Sequence, residues 1–219
     1  FVDEQGRSSG IAVDLATILN DRLGTHIEVV SGAYSDLAQQ VLSKQLDGLM
    51  VVSAQVALAD PGQLVTSQPH LSTSLALFAR RDEPTSITRK QDIKNKPLAY
   101  IEGLPNSVLW LADIQNANQV SPANNSIQCL KLVAESKVDY CLTLSSDQFY
   151  VNKHRLINVA IKYLDLDNVI PLFTAVRADW PELAEIINVG LQSIDGAHLN
   201  QIVGRWTDPY DALQGQAIS

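Results

Sequence analysis

The feature that most narrows the fold is the regular exchange of helical for strand-like apolar spacing along the first part of the chain. Ile11, Leu15, Ile18, Leu19 and Leu23 recur at the spacing of one helix face, and Gly24 follows where a left-handed cap is favoured. His26 to Val30 reads as a strand. Ser35 and Asp36 open a second helix with Leu37, Val41 and Leu42 inward, and Leu49–Val52 is a continuous apolar run of the kind found in a strand covered on both faces. Helix, strand, helix and strand joined by short loops imply crossover connections. The pattern therefore predicts an α/β fold with a mostly parallel sheet and helices on both faces.

Leu75–Phe78 is a further strand, and the polar run Arg80, Arg81, Asp82, Glu83, Pro84 behind it reads as a boundary. A second α/β unit then begins. Leu98–Ile101 is its first strand, Gly103 a turn, and Asn106 or Ser107 the cap of a helix carrying Val108, Leu109, Leu111 and Ala112. A helix over Ser126–Ser136 leads into a strand over Val138–Leu142, and Ile170–Val176 is another strand. Asp179 with Glu182 has the form of a capping box ahead of a helix whose Leu183, Ile186, Ile187, Leu191 and Ile194 share one face. Leu199, Ile202, Val203 and Trp206 mark the buried stripe of one more helix. At 219 residues the chain is long enough for two cores, and both halves read as small α/β units.

Composition excludes several classes of function. A formal net charge of −8 sets the field of the protein against phosphate backbones, so no nucleic-acid partner is expected. No apolar run reaches the roughly 20 residues that span a bilayer. The four histidines, His26, His70, His154 and His198, lack metal-ligand spacing, and no metal or cofactor is expected. Cys129 and Cys141 lack the paired spacing of a zinc or redox site. Two buried free thiols are the ordinary reading of such a pair. The alternative is one disulfide, since a helix followed by an antiparallel strand could bring them together. Neither a nucleophile elbow, nor a phosphate loop, nor a dinucleotide glycine pattern is present, and the chain reads as a binding protein rather than an enzyme.

The run Gly6-Arg7-Ser8-Ser9-Gly10-Ile11-Ala12-Val13-Asp14-Leu15, with the helix ending at Leu23-Gly24, resembles the opening of family 3 of the bacterial extracellular solute-binding proteins. Leu46-Asp47-Gly48-Leu49-Met50, Thr66-Ser67-Gln68-Pro69-His70, Tyr100-Ile101-Glu102-Gly103 and Val138-Asp139-Tyr140-Cys141-Leu142 follow in the family's order. The segment from Ala175-Val176-Arg177-Ala178-Asp179-Trp180-Pro181 to Arg205-Trp206 resembles the branch found as periplasmic sensors on histidine kinases and diguanylate cyclases. The resemblance implies the type II periplasmic-binding-protein fold: two α/β lobes joined by two crossing strands, with a ligand cleft and signalling by lobe closure. On that reading residues 1–78 and 176–219 form a discontinuous first lobe and residues 79–175 the second. Family members also carry a short strand ahead of the position of Phe1, so the first strand is expected to be missing.

In the family's amino-acid binders an arginine clamps the ligand carboxylate and an aspartate neutralises its ammonium group. Carried onto this sequence, the first position is Asp60 and the second Leu144, with Ser145 and Asp147 beside it. Both anchors are lost, so a standard α-amino acid is not expected and the small-molecule ligand is unknown. The cleft candidates are Ser53, Gln55, Asp60, Gly103, Ser107 and Ser145. For Ser53 and Gln55 the competing reading is a solvated loop, for Ser107 a plain helix cap, and for Asp60 an exposed loop. Trp110, Trp180 and Trp206 stand at core spacings. The resemblance implies an extracytoplasmic sensor of a membrane-anchored receptor. The alternatives are a free transport-type binding protein, a regulatory module of a cell-wall lytic enzyme and, among enzymes, a relative of cyclohexadienyl dehydratases. Whether the module forms a homodimer is left open.

Overall fold

In the computed structural model the described residues are 7–32, 34–53, 62–102, 104–112, 114 and 119–207. The chain divides into two compact units, Phe1–Ser72 with Ile170–Trp206 and Thr73–Val169 with Thr207–Ser219. Among the described residues no helix is long and apolar enough to cross a membrane.

Unit 1 begins with α1 (Ile11–Leu23), which Gly24 ends with φ 65° and an N–H donating to Asn20 O at 2.9 Å, the left-handed cap that the glycine predicts. Helix α2 (Tyr34–Leu42) and strands β1 (Gly48–Ser53) and β2 (Leu64–Thr66) follow. Both strands pair antiparallel with the end of β7 (Val159–Arg177), Gly48 opposite Val176 and Leu64 opposite Arg177. Helices α6 (Pro181–Gln192) and α7 (Gly196–Thr207) complete the unit. The core joins Leu15 and Leu19 of α1 to Val176, Ile187, Leu191, Ile194 and Ile202. Burying each such side chain stabilises the fold by about 2 kcal/mol. Close packing needs Gly190, because a Cβ there would stand 2.7 Å from Leu23 Cδ1. Of the apolar stripe read from the sequence, Ile187 and Leu191 are buried, whereas Leu183 and Trp206 are half-covered and Ile186 and Trp180 are exposed.

The expected strand at His26–Val30 forms no ladder among the described residues. The Asn20 side chain takes both main-chain groups of Ile27, accepting its N–H at 2.6 Å and donating to its C=O at 2.9 Å. A strand needs a partner to be one, and local side-chain bonding competes for the same groups.

Unit 2 contains β3 (Leu71–Arg80, from Thr73), β4 (Leu98–Ile101), α3 (Pro105–Ala112), β5 (Val120–Ala123), α4 (Ser126–Ala134), β6 (Tyr140–Leu144), α5 (Gln148–Lys153) and the first part of β7. Strand β4 pairs parallel with β5 and β6, while β3 pairs antiparallel with β6, Leu75 opposite Leu144. The expectation of a mostly parallel sheet is thus corrected. Parallel pairing requires a crossover, and β3 and β7, which carry the chain from one unit to the other, run against the neighbours β6, β1 and β2.

Within the run Arg80–Pro84, Arg81, Asp82 and Pro84 are exposed but Glu83 is not. Glu83 is buried, accepting from Thr85 Oγ1 at 2.6 Å and from Tyr140 Oη at 3.2 Å, with Lys96 Nζ 3.7 Å away. Burial alone raises its pKa, and the bonds from Thr85 and Tyr140 with the Lys96 charge more than offset this, holding it below the ordinary value. Tyr140 is pushed up to about 12, first by burial and further by the Glu83 charge. The capping box is also corrected: Trp180 occupies the cap of α6 with no side-chain cap bond, and Asp179 instead pairs with Lys44 at 2.7 Å and Arg177 at 3.1 Å. Pro181 in the first turn has no N–H to be capped, which removes part of the demand.

The cysteines also depart from the ordinary reading. Cys129 of α4 and Cys141 of β6 are joined in a disulfide with Cα atoms 5.6 Å apart, inside a core that includes Ala76, Phe78, Leu130 and Val159. Helix α4 lies against β6 so that the two positions face one another, a consequence of packing that spacing alone does not convey.

Candidate ligand-binding site

Of the six candidates, Gln55, Asp60 and Gly103 lie outside the described residues. Ser53 ends β1 in unit 1, half-buried, paired with Leu172. Just before it the strand is irregular: Leu49 stands opposite Ala175 but Val52 opposite Phe173, leaving Met50 and Val51 to share Thr174. Val51 has φ 60°. For a β-branched residue this is strained backbone, and bulges of this kind re-aim the residue that follows. The sequence run Leu49–Val52 reads as plain strand and carries no signal of it.

Ser107 and Ser145 belong to unit 2. Helix α3 starts at Pro105, so neither Asn106 nor Ser107 is its cap, which corrects that reading. Ser107 is fully buried, and both its N–H and its hydroxyl donate to Leu104 O, at 3.0 and 2.6 Å. It closes the turn that starts the helix.

Ser145 follows β6 in a 3-10 turn, Ser145–Asp147. Its hydroxyl lies 3.1 Å from Thr73 Oγ1 and accepts the Ser74 N–H at 3.3 Å. Behind it the Asp147 carboxylate accepts from Thr143 and also from Ser126. Burial pushes the Asp147 pKa up despite these donors. Thr73, Ser74, Thr143, Ser145 and Asp147 form a hydroxyl-rich cluster that the sequence reading misses except for Ser145 and Asp147. The available signal was the polar run Ser72-Thr73-Ser74 ahead of the apolar stretch Leu75–Ala79.

Unit 1 offers a second polar group at the end of β2. Ser67 binds both main-chain groups of Thr174: its N–H donates to Thr174 O at 2.8 Å, and its side-chain Oγ accepts the Thr174 N–H at 2.9 Å. Nearby in the chain, His70 donates to Leu172 O through its N–H, and its Nδ1 stands 3.4 Å from Gln68 O. His70 Nε2 and Thr174 Oγ1 are buried without a hydrogen-bond partner among the described residues. Burial lowers the His70 pKa, against the raising effect of the Gln68 carbonyl, so the ring is neutral at pH 7.

A cleft of about 630 Å³ lies elsewhere in unit 1, between Val13, Ala16 and Thr17 of α1 and Ile27–Val29, with Arg7 and Ser8 completing its lining. Among the described candidates, Ser53, Ser107 and Ser145, none lines it. Among the described residues no group of His, Cys, Asp and Glu is placed to hold a metal ion.

Hydroxyl groups on short turns can recognise a polar ligand through neutral hydrogen bonds. Residues 1–209 match the bacterial extracellular solute-binding proteins, family 3. The chain belongs to that family. Its α/β fold is that of the periplasmic binding proteins: a histidine kinase sensor domain similar to periplasmic binding proteins superposes with a TM-score of 0.75 at 22% identity, over 95% of this chain and 90% of that one. The periplasmic VFT2 domain of Bordetella pertussis BvgS superposes with a TM-score of 0.73 at 21% identity, over 90% and 83% of the two chains. An ancestral cationic amino acid solute-binding protein gives 0.76 at 19% identity, over 95% and 90%. In sequence, the virulence sensor protein BvgS of Bordetella bronchiseptica is 25% identical over 208 residues, 93% of this chain. The chain spans 16% of that relative's length.

Proposed function

We propose that this family 3 chain is the extracytoplasmic ligand-binding sensor domain of a bacterial membrane receptor, of the histidine kinase type. The observation that carries the reading is the match of 93% of the chain, at 25% identity, to a virulence sensor protein of whose length it covers only 16%. The disulfide between Cys129 and Cys141 supports an oxidising compartment such as the periplasm. The two compact units are the lobes, and signalling proceeds by a change in their opening. The domain binds rather than catalyses. That reading rests on the family, whose members are solute-binding proteins.

The ligand is a polar small molecule other than a standard α-amino acid. A zwitterion enclosed by two lobes loses the hydration of both charges, a penalty of several kcal/mol per charge unless each meets a partner. Asp60 and Leu144 stand where the family's amino-acid binders place those partners, and neither can serve. Ser53, Gln55, Asp60, Gly103 and Ser145 remain the proposed cleft residues, with Thr73 added, whereas Ser107, fully buried with its hydroxyl on Leu104 O, is withdrawn. Calorimetry with each of the twenty amino acids at millimolar concentration is expected to give no heat of binding. A micromolar dissociation constant for any of them would overturn the assignment of Asp60 and Leu144. Sequencing the whole gene tests the sensor reading, which expects a transmembrane helix and an output domain behind this one.

A further inference from the structure

Asp14 stands in the first turn of α1 and Arg205 in the last turn of α7, each at the helix end where the backbone dipole favours its charge. Asp14 Oδ2 accepts from Arg205 Nη1 at 3.0 Å and from Trp206 Nε1 at 2.9 Å. The Asp14 side chain is four-fifths covered, with 20% exposure against 54% for Arg205. At the opposite end of α1, Arg22 donates to the carbonyl of Ser193, ahead of the start of α7. Helix α1 is thus tied at its start to the end of α7 and at its end to Ser193, the cap of α6.

The two ties differ in what lies beneath them. Upstream, α7 is held by apolar packing, with Ile202 buried and Leu199 against the same core. In its last turn, Gly204 has nothing within 4 Å of where a Cβ would stand, and Arg205 is exposed. No residue from 203 to 207 is fully buried, and a glycine there weakens the helix by roughly 1 kcal/mol relative to alanine. Trp206 is also the last residue of unit 1. The polar tie thus sits where the chain leaves unit 1.

We propose that Asp14 is a positioning residue for this exit: its carboxylate latches the Gly204–Trp206 turn of α7 to α1, and the receptor's output depends on whether the latch is held. The output clause rests on the sensor reading given above. The chemistry separates two variants. Asp14→Asn keeps an oxygen that can accept the indole N–H but loses the charge that holds Arg205. Asp14→Ala loses both. Neither disturbs Leu15 or Leu19, the residues by which α1 enters the core.

The test has two arms. In the chain labelled at tryptophan nitrogen, the indole proton of Trp206 is expected to exchange with solvent roughly tenfold or more faster in Asp14→Ala, the change that follows loss of a hydrogen bond to a charged group, and less so in Asp14→Asn. The Trp110 and Trp180 indoles serve as internal references and should not change. Unchanged Trp206 exchange in Asp14→Ala overturns the latch. In the full-length receptor, Asp14→Asn and Arg205→Gln are expected to shift resting autophosphorylation in the same direction. A loosened latch with unaltered resting output overturns the coupling. A gene product without an output domain would overturn the sensor reading and the coupling with it, while the indole measurement still reads the latch.

Discussion

Cys129 and Cys141 cross-link helix α4 to strand β6 at full burial, closing a segment of sequence separation 12 within the core of unit 2. The bond ties an element that contributes Leu130 and Val133 to the core to the strand that pairs with both β3 and β4.

Replacing both cysteines with alanine is expected to destabilise the protein by about 2–4 kcal/mol, combining loss of the cross-link with a small cavity. Chemical denaturation of the two forms measures this directly. Because both sulfurs are buried, mild reductant without denaturant should reduce the bond slowly, at a rate limited by local opening. Equal midpoints for the two forms would count against a structural role.

Two buried titratable groups should give stability opposite dependences on pH. The His70 pKa is lowered in the folded state, so the unfolded chain binds its proton first. The stability it contributes is present above the unfolded value near 6.5 and is lost as pH falls through the folded pKa. The Asp147 pKa is raised, so its contribution is present below the unfolded value near 3.9 and is lost as pH rises through the folded pKa. His70→Gln should flatten the pH dependence just below 6.5, and Asp147→Asn should flatten it above 3.9. Melting temperatures of the two variants across pH 4 to 8 test both signs. A variant that follows the parent curve in its own window would remove that residue from the account.

Glu83 is expected to be worth more than an exposed ion pair, because it is buried and accepts from Tyr140 and Thr85 as well as facing Lys96. Glu83→Ala leaves the Tyr140 hydroxyl and the Lys96 ammonium without that partner and should destabilise by about 1–3 kcal/mol. Glu83→Gln retains an acceptor and should lose less. Denaturation at neutral pH ranks the three forms, and an alanine variant as stable as the parent would mean the network contributes nothing.

Elements whose cause is local are legible in the amino-acid pattern alone. Helix α1 runs from Ile11 to a left-handed Gly24, and the strand expected over Leu98–Ile101 is β4, because apolar periodicity and a glycine cap act within a few residues. The order of these elements was enough to indicate the fold class. Tertiary structure decided everything that required knowing a neighbour. His26–Val30 forms no ladder among the described residues because Asn20 takes the main chain of Ile27, and Glu83 is buried because Tyr140 and Thr85 are there to satisfy it. Cys129 meets Cys141 because α4 packs on β6. At the site the same division holds. Ser145 was legible as a polar residue at a strand end, but its contacts with Thr73 and Ser74 depend on the antiparallel register of β3 against β6. A hydrogen bond between residues this far apart is fixed by sheet register, and register is a property of two strands, which no single stretch of sequence contains.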